Sequence, residues 1–334
     1  MPNSEGMPER LYKYRSFSNL TLDMLIADVI YFADPTSFND PLDTKPMLSI
    51  DIGAEALERI LSQLFEQRIS AEMSAAAKTI RYRGPRTLDH IRLLIRKETE
   101  KLLANIRYNA TDPEYEAAQD PEQFVLGQYV QEELLRRYDR GVFSMAERPS
   151  CPLMWSHYAD EHRGLSLGYS VPADAAGDLH KIKYGGSRLI EASAVAAMLN
   201  GDASARQTVD EAAFLRKAEE WRYEKEWRLL GQRGPQSSPL ELEEVVFGMR
   251  CDSPVKYAVM KALENRARPV KLYEICPRHG CFQLDKCELD DEALFSSGYP
   301  RRVRSIWETF DLPLPVPSDQ RAAKCQEAAR TDGK

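Results

Sequence analysis

The spacing of apolar residues changes twice along the chain. Between Asp51 and Arg140, the stretches ALERILSQLFEQRISAEMSAAAKTI, LDHIRLLIRKETEKLLANI and PEQFVLGQYVQEELLRRYD carry apolar residues three and four apart. That spacing puts them on one face of a helix. The breaks GPRT and TDPEYEAAQDPE divide the block into about three helices. On both sides of the block the pattern is that of strands. LYKYRSF alternates, VIYFADP is a compact run ended by proline that reads as a buried strand, and GVFSMAE, GLSLGYSV, LHKIKYGG, LEEVVFGMR and VKLYEI follow later. A doubly wound α/β fold alternates strand and helix strictly, and this chain does not. The expectation is an α+β fold: a mixed, largely antiparallel sheet with flanking helices and an inserted helical block. The core domain is expected to be discontinuous, 10–50 and 141–295. Residues 51–140 form a helical insertion or cap, and 311–334 a poorly ordered tail.

Composition narrows the function classes. With 334 residues and 43% hydrophobic content, the chain can bury a sizeable core. Its apolar runs are too short to span a bilayer, and MPNSEGMPER lacks the apolar segment of a secretory leader. A cytoplasmic protein without membrane contact is expected. The net charge of −7 argues against a dedicated nucleic-acid binder. The basic clusters Arg81–Arg86 and Arg301–Arg304 leave a nucleic-acid surface open. The segment holding Cys276, His279, Cys281 and Cys287 lacks the two separated knuckles of a zinc site. It reads as a hairpin with PRHG at the turn and Cys276 facing Cys281, so no metal is expected.

Shorter signals place the remaining elements. NLTLDMLIAD is a helix capped by Ser18 or Asn19, and TSFNDPLDTKP is a loop with Asn-Asp-Pro as its turn. PLMWSHYADEHRG reads as a short helix ended by Gly164, and ASAVAAMLNGDASARQTVDEAAFLRKAEE as helical. SPVKYAVMKALENRA is a helix with Ser253 as cap. Dinucleotide-binding and phosphate-binding glycine loops, the nucleophile elbow and the HExxH pair are all missing.

Four stretches bring polar and aromatic groups together beside strand ends. LYKYRSF offers Lys13, Tyr14 and Arg15 as ligand-binding candidates, and FNDPLD offers Phe38, Asn39, Asp40 and Asp43. The Asn and Asp side chains can clamp a ligand hydroxyl or a metal, or satisfy a local turn. In MWSHYADEHRG a helix puts Trp155, Tyr158 and His162 on one face, a stacking floor for a flat ring with a histidine at its edge; His157 lies between them. The same stripe can be plain packing. In WRYEKEWR a strand puts Glu224, Glu226 and Arg228 on one face. A glutamate fixed beside an arginine can act as a base or stabilise a developing cation, or the row can be a surface ladder. The catalytic candidates are Glu226, Glu224 and His162, with Arg228 as their partner.

The order of these stretches resembles the bacterial domain-of-unknown-function family 2971. The residues that carry the likeness are Lys13-Tyr14-Arg15, Phe38 to Asp43, Met154 to Tyr169, Trp221 to Arg228 and Val245 to Arg250. Some members of that family are associated with phage defence and abortive infection. A looser resemblance is to ADP-ribosyltransferase-like toxins, which have a split antiparallel sheet, an Arg or His on an early strand and a late E-x-E. Arg15 matches the first and Glu224-Lys225-Glu226 the second, whereas the usual Ser-Thr-Ser middle motif is missing. That resemblance implies NAD as substrate. Glu226 would stabilise an oxocarbenium-like centre, Arg15 would hold a pyrophosphate oxygen, and Tyr158 or Trp155 would stack on a ring.

Three functions follow as expectations. The first is an NAD-consuming transferase or glycohydrolase acting as a defence effector. The second is a ligand-binding or sensing module without chemistry, whose helical block meets a protein partner. The third is a magnesium-dependent nuclease built on Asp40, Asp43 and Glu224 or Glu226.

Overall fold

The computed structural model describes residues 7–79, 87–115, 120–138 and 140–290. The basic clusters and the C-terminal tail lie outside the described residues.

Strand β1 (Leu11–Arg15) is followed by helix α1 (Asn19–Ile26) and strand β2 (Val29–Phe32). Ser18 caps α1 through its backbone and makes no side-chain cap bond. β2 is half-buried, not buried, because it leaves the main sheet to pair with a later strand. A short strand, β3 (Met47–Ser49), follows directly after the loop read over TSFNDPLDTKP. Helices α2 (Ala54–Thr79), α3 (Thr87–Asn109) and α4 (Pro121–Arg137) form the expected helical block. Asp120 caps α4 by accepting from Gln123 N, with Pro121 at the first position.

Strand β4 (Gly141–Ala146), helix α5 (Pro152–Tyr158) and strand β5 (Leu165–Ser170) come next. Short strands β6 (Leu179–Lys181), β7 (Lys183–Tyr184) and β8 (Leu189–Glu191) lead into α6 (Ala192–Leu199) and α7 (Ala203–Phe214). The long helical stretch of the sequence is thus two helices, broken at Gly201, whose φ of +94° only glycine adopts freely. It ends earlier than its composition suggests, in strand β9 (Arg216–Lys217). A 3-10 turn over Glu219–Glu224 precedes β10 (Glu226–Gly231), β11 (Gly234–Ser237) and β12 (Glu241–Phe247). Helix α8 (Ser253–Leu263) has Asp252, not Ser253, at its cap position, and the hairpin β13 (Lys271–Pro277) and β14 (Leu284–Glu288) ends the described chain.

Eight strands make one sheet in the order β14-β13-β12-β5-β1-β4-β10-β6, antiparallel except for β12 beside β13. One hydrophobic core packs Leu11, Phe143, Leu167, Trp227 and Val245 from the sheet against Met24 and Leu25 of α1. The other face is covered by α5 and holds Tyr12, Tyr14, Trp155 and Val246. A separate core joins the helical block to α6 and α7, through Leu57, Leu61, Val130, Val195 and Val209. In the β13–β14 hairpin, Cys281 sits exposed in the turn and does not face Cys276. Cys276 pairs in register with Asp285 and has Cys287 as its sulfur neighbour.

One junction in the sheet is barely closed. β1 pairs with β5 over five residues and β4 with β10 over six, but β1 and β4 meet only at Tyr12 and Ala146. The two strands part beyond that point, and this opening makes the site.

The upper end of β1 is held by close backbone contacts. After α5 the chain runs through three consecutive residues of positive φ, Asp160, Glu161 and His162. This ends the helix at Ala159 and not at Gly164. His162 therefore leaves the helix. A Cβ on Gly164 would stand 2.2 Å from the Arg15 carbonyl oxygen, and one on Gly248 would stand 2.1 Å from that of His162. The Gly164→Ala variant should lose about 1–3 kcal/mol of stability, read by urea unfolding, because a backbone atom cannot give way as a flexible side chain can.

Candidate functional site

The opening between β1 and β4 forms a cavity of about 430 Å³, a volume typical of small-molecule sites. Its wall on one side is β1, with Lys13 and Arg15. Opposite stand Ser144 and Ala146 of β4 and the carboxylates Glu224 and Glu226. Phe38, Asn39 and Asp43 of the β2–β3 connection close one end, and His157 and Tyr158 of α5 another.

The floor is an ion cluster. Arg228 is fully buried. It donates to Glu226 at 2.8 and 3.1 Å, to Asp43 Oδ2 at 2.6 Å and to the Phe214 carbonyl at 2.8 Å. Lys217 is buried beside it and contacts Glu224 at 2.5 Å, Glu226 at 3.2 Å and Asp43 at 3.6 Å. Three carboxylates thus share two cations, which leaves one formal negative charge. Such charges stay ionised in a protein interior only because each is paired. Tyr184 accepts the Glu226 N–H at 2.7 Å and fixes the start of β10.

The two glutamates are pushed apart in acidity. Burial would raise the pKa of Glu226, but Arg228 and then Lys217 override it and hold it at about 2. For Glu224 burial wins over the pull of Lys217, and Glu226 adds to it, so its pKa lies above the ordinary carboxylate value. Tyr158 donates to Glu224 at 2.7 Å and accepts from Asn39 at 3.2 Å. The arrangement provides a permanent anion next to a carboxyl able to exchange a proton.

The β1 side is cationic. Lys13 is half-buried, donates to the Ser144 carbonyl at 2.8 Å and lies 4.8 Å from the Phe143 ring centre. Burial and then the Arg15 charge lower its pKa to about 7, against the pull of Glu226 and Glu224. Neither Lys13 nor Arg15 has a carboxylate partner within salt-bridge distance among the described residues.

Most sequence-selected residues meet here: Lys13, Tyr14, Arg15, Phe38, Asn39, Asp43, His157, Tyr158, Glu224 and Glu226 line the cavity, and Arg228 supports it from below. Its guanidinium lies 5.6 Å from the Phe38 ring centre. Three candidates are corrected. Trp155 is fully buried under the sheet, donates to the Pro149 carbonyl and meets Tyr14 edge-on, so it is not the floor for a ligand ring. His162 stacks on the far side of Trp155 at 6.0 Å and is no catalytic group of this cavity. Asp40 does not line the cavity; its carboxylate accepts the Leu42 N–H in a local turn. The nuclease set thereby loses Asp40, and its other carboxylates already share Lys217 and Arg228. WRYEKEWR is not one strand: Glu224 ends a 3-10 turn, Lys225 is left-handed, and only Glu226 onward is strand. Lys217 was missed. Its two-residue strand pairs with β7, a contact that leaves no local pattern.

Fold and site together define an α+β protein whose sheet opens around a pocket cationic on one wall and acidic on the other. Residues 154–229 match the family described as Protein of unknown function (DUF2971). That span carries Tyr158, Lys217, Glu224, Glu226 and Arg228, while Lys13, Arg15 and Asp43 come from outside it. No curated protein and no solved structure matches the chain. No helix among the described residues is long and apolar enough to cross a membrane.

The ion cluster yields a stability prediction. Arg228→Ala strands Glu226 and Asp43 in the interior and should cost about 3–5 kcal/mol. Lys225→Ala, which removes a partly exposed pair with Glu147 at 3.8 Å, should cost under about 1 kcal/mol. Urea midpoints of the two variants measure the contrast.

Proposed function

We propose that this pocket binds NAD and breaks its nicotinamide–ribose bond, as an ADP-ribosyltransferase-type enzyme or NAD glycohydrolase serving as an effector in bacterial antiphage defence. The observation that carries the reading is the opened sheet: two cations on β1, without a carboxylate partner among the described residues, share a ligand-sized cavity with an ionised glutamate on β10. Such an opening, with Arg15 on an early strand and a late E-x-E at Glu224 and Glu226, supports the reading that the toxin resemblance suggested.

In this reading Lys13 and Arg15 hold the pyrophosphate, Arg15 with the geometry for two parallel bonds. Phe38 and Tyr158 supply flat walls. When the C1′–N bond breaks, both electrons pass to the nicotinamide nitrogen and neutralise it. Positive charge is left at C1′, and Glu226, held ionised by Arg228 and Lys217, stabilises it. Water or a target side chain adds at C1′ and gives its proton to Glu224, whose pKa burial raises above the ordinary carboxylate value.

Nicotinamide release from NAD, followed by chromatography, tests the reading. Wild type should release it, and Glu226→Gln should lose at least about a hundredfold. Arg15→Ala, which breaks no ion pair, provides a variant expected to fold with a raised KM. Saturable NAD binding without release would instead favour a sensing module. No binding and no release from folded protein would remove NAD.

Lys13 makes binding pH-dependent. A bound pyrophosphate favours protonated Lys13, whose free pKa is about 7. Affinity should be level below that pH and fall by up to about tenfold per unit above it. Lys13→Met should flatten the profile, measured by calorimetry with ADP-ribose between pH 6 and 9.

A further inference from the structure

Asp43 is buried to 4% exposure and lines the cavity, yet its two oxygens are treated unequally. Oδ2 accepts from Arg228 at 2.6 Å and lies 3.6 Å from Lys217. Oδ1 is buried and has no hydrogen-bond partner among the described residues. Unpaired acceptors of this kind are rare in protein interiors and costly, and they need a cause. The neighbouring carboxylates differ: Glu226 has both oxygens on Arg228, and Glu224 divides its pair between Tyr158 and Lys217. The acidic floor therefore keeps one acceptor in reserve, on a residue that lines the cavity.

We infer that Asp43 reads the ligand: Oδ1 accepts a hydrogen bond from an uncharged donor, a carboxamide N–H or a ribose hydroxyl, and turns away a carboxylate in the same place. The inference rests on the NAD reading and deepens it to a specificity. The physical basis is an asymmetry. A donor that meets Oδ1 satisfies a buried oxygen already stripped of water. An analogue without that donor leaves it unpaired, and a carboxylate in that place sets one anionic acceptor against another, with no hydrogen between them. Arg228 locks the Asp43 side chain, so it cannot turn to accommodate the wrong group.

Asp43→Asn is the informative substitution. Arg228 and Lys217 only donate, so the new side chain must keep its oxygen toward them. Its NH2 then takes the place of Oδ1, and an acceptor becomes a donor with little change of shape. Calorimetry on the full chain would use three ligands: an NAD analogue made non-cleavable by a methylene in place of the nicotinamide-side ring oxygen, the same analogue carrying nicotinate, and ADP-ribose. If the carboxamide is the donor, wild type should bind the amide analogue about a hundredfold tighter than the acid, and Asp43→Asn should erase or reverse that gap. If a ribose hydroxyl is the donor, wild type should bind both analogues alike, and the variant should weaken all three ligands by a similar factor. Folded Asp43→Asn that binds all three as wild type does overturns the inference. Should the variant not fold, wild type is tested with the acid analogue and with analogues lacking single ribose hydroxyls. A large loss for one of them supports the inference, and equal binding of all overturns it. Absence of any binding to wild type removes the NAD reading and this inference with it, an outcome distinct from binding that ignores Asp43.

Discussion

Arg228 sits fully buried at the centre of the site and joins segments remote in sequence. Its guanidinium joins Asp43 from the β2–β3 connection, Glu226 from its own strand and the Phe214 carbonyl at the end of α7. A buried charge of this kind has no tolerable alternative to being paired, since the interior supplies no water to replace a lost partner. The pairing therefore dictates where three pieces of chain must stand. Lys217 brings a fourth, and it also fixes Glu224 beside Glu226. The cluster contributes less through net stability than through the unique arrangement it imposes on the cavity floor.

Above this floor the sheet is left unfinished. A full β1–β4 ladder would seal the space and remove the cavity. Instead Lys13 reaches across to the Ser144 carbonyl, so that one freed backbone acceptor is met by a side chain. Substitution of side chain for strand pairing keeps the opening polar and satisfied. It also places a lysine of lowered pKa next to Arg15, opposite an acidic floor. The polarity of the cavity thus follows from strands that part, with Lys13 and Arg15 on the β1 side and the Asp43, Glu224 and Glu226 carboxylates on the other.

Close packing also gathers around the turn that follows α5. Three left-handed residues, the stacked Trp155–His162 pair and the tight contacts at Gly164 and Gly248 tie α5 to the ends of β1 and β12. Strained backbone persists where the surroundings over-determine it. Here the result is that Arg15 is held at the end of its strand by its own carbonyl contact. Residues that read as a ligand-stacking stripe serve instead as the packing that positions the ligand-facing wall.

Local pattern alone determined a good deal. The change of apolar spacing marked the three long helices and most strands, because helical and extended periods are set by geometry within a few residues. The polar-aromatic stretches marked most of the cavity wall, because such side chains are costly to bury without a role. Local pattern misled wherever a residue's neighbour was remote. A helix continued through ADEH would have kept His162 on one face with Trp155 and Tyr158, but left-handed backbone at Asp160 turned the chain away. WRYEKEWR reads as one strand until Lys225 breaks it. Lys217 carries no signal at all, since its place depends on β7 and on three carboxylates brought from elsewhere. The sequence alone determined which segments are helix or strand and which carry chemistry. Tertiary structure decided which charges meet and which acceptor is left over, because pairing buried charges is a long-range condition that local spacing does not record.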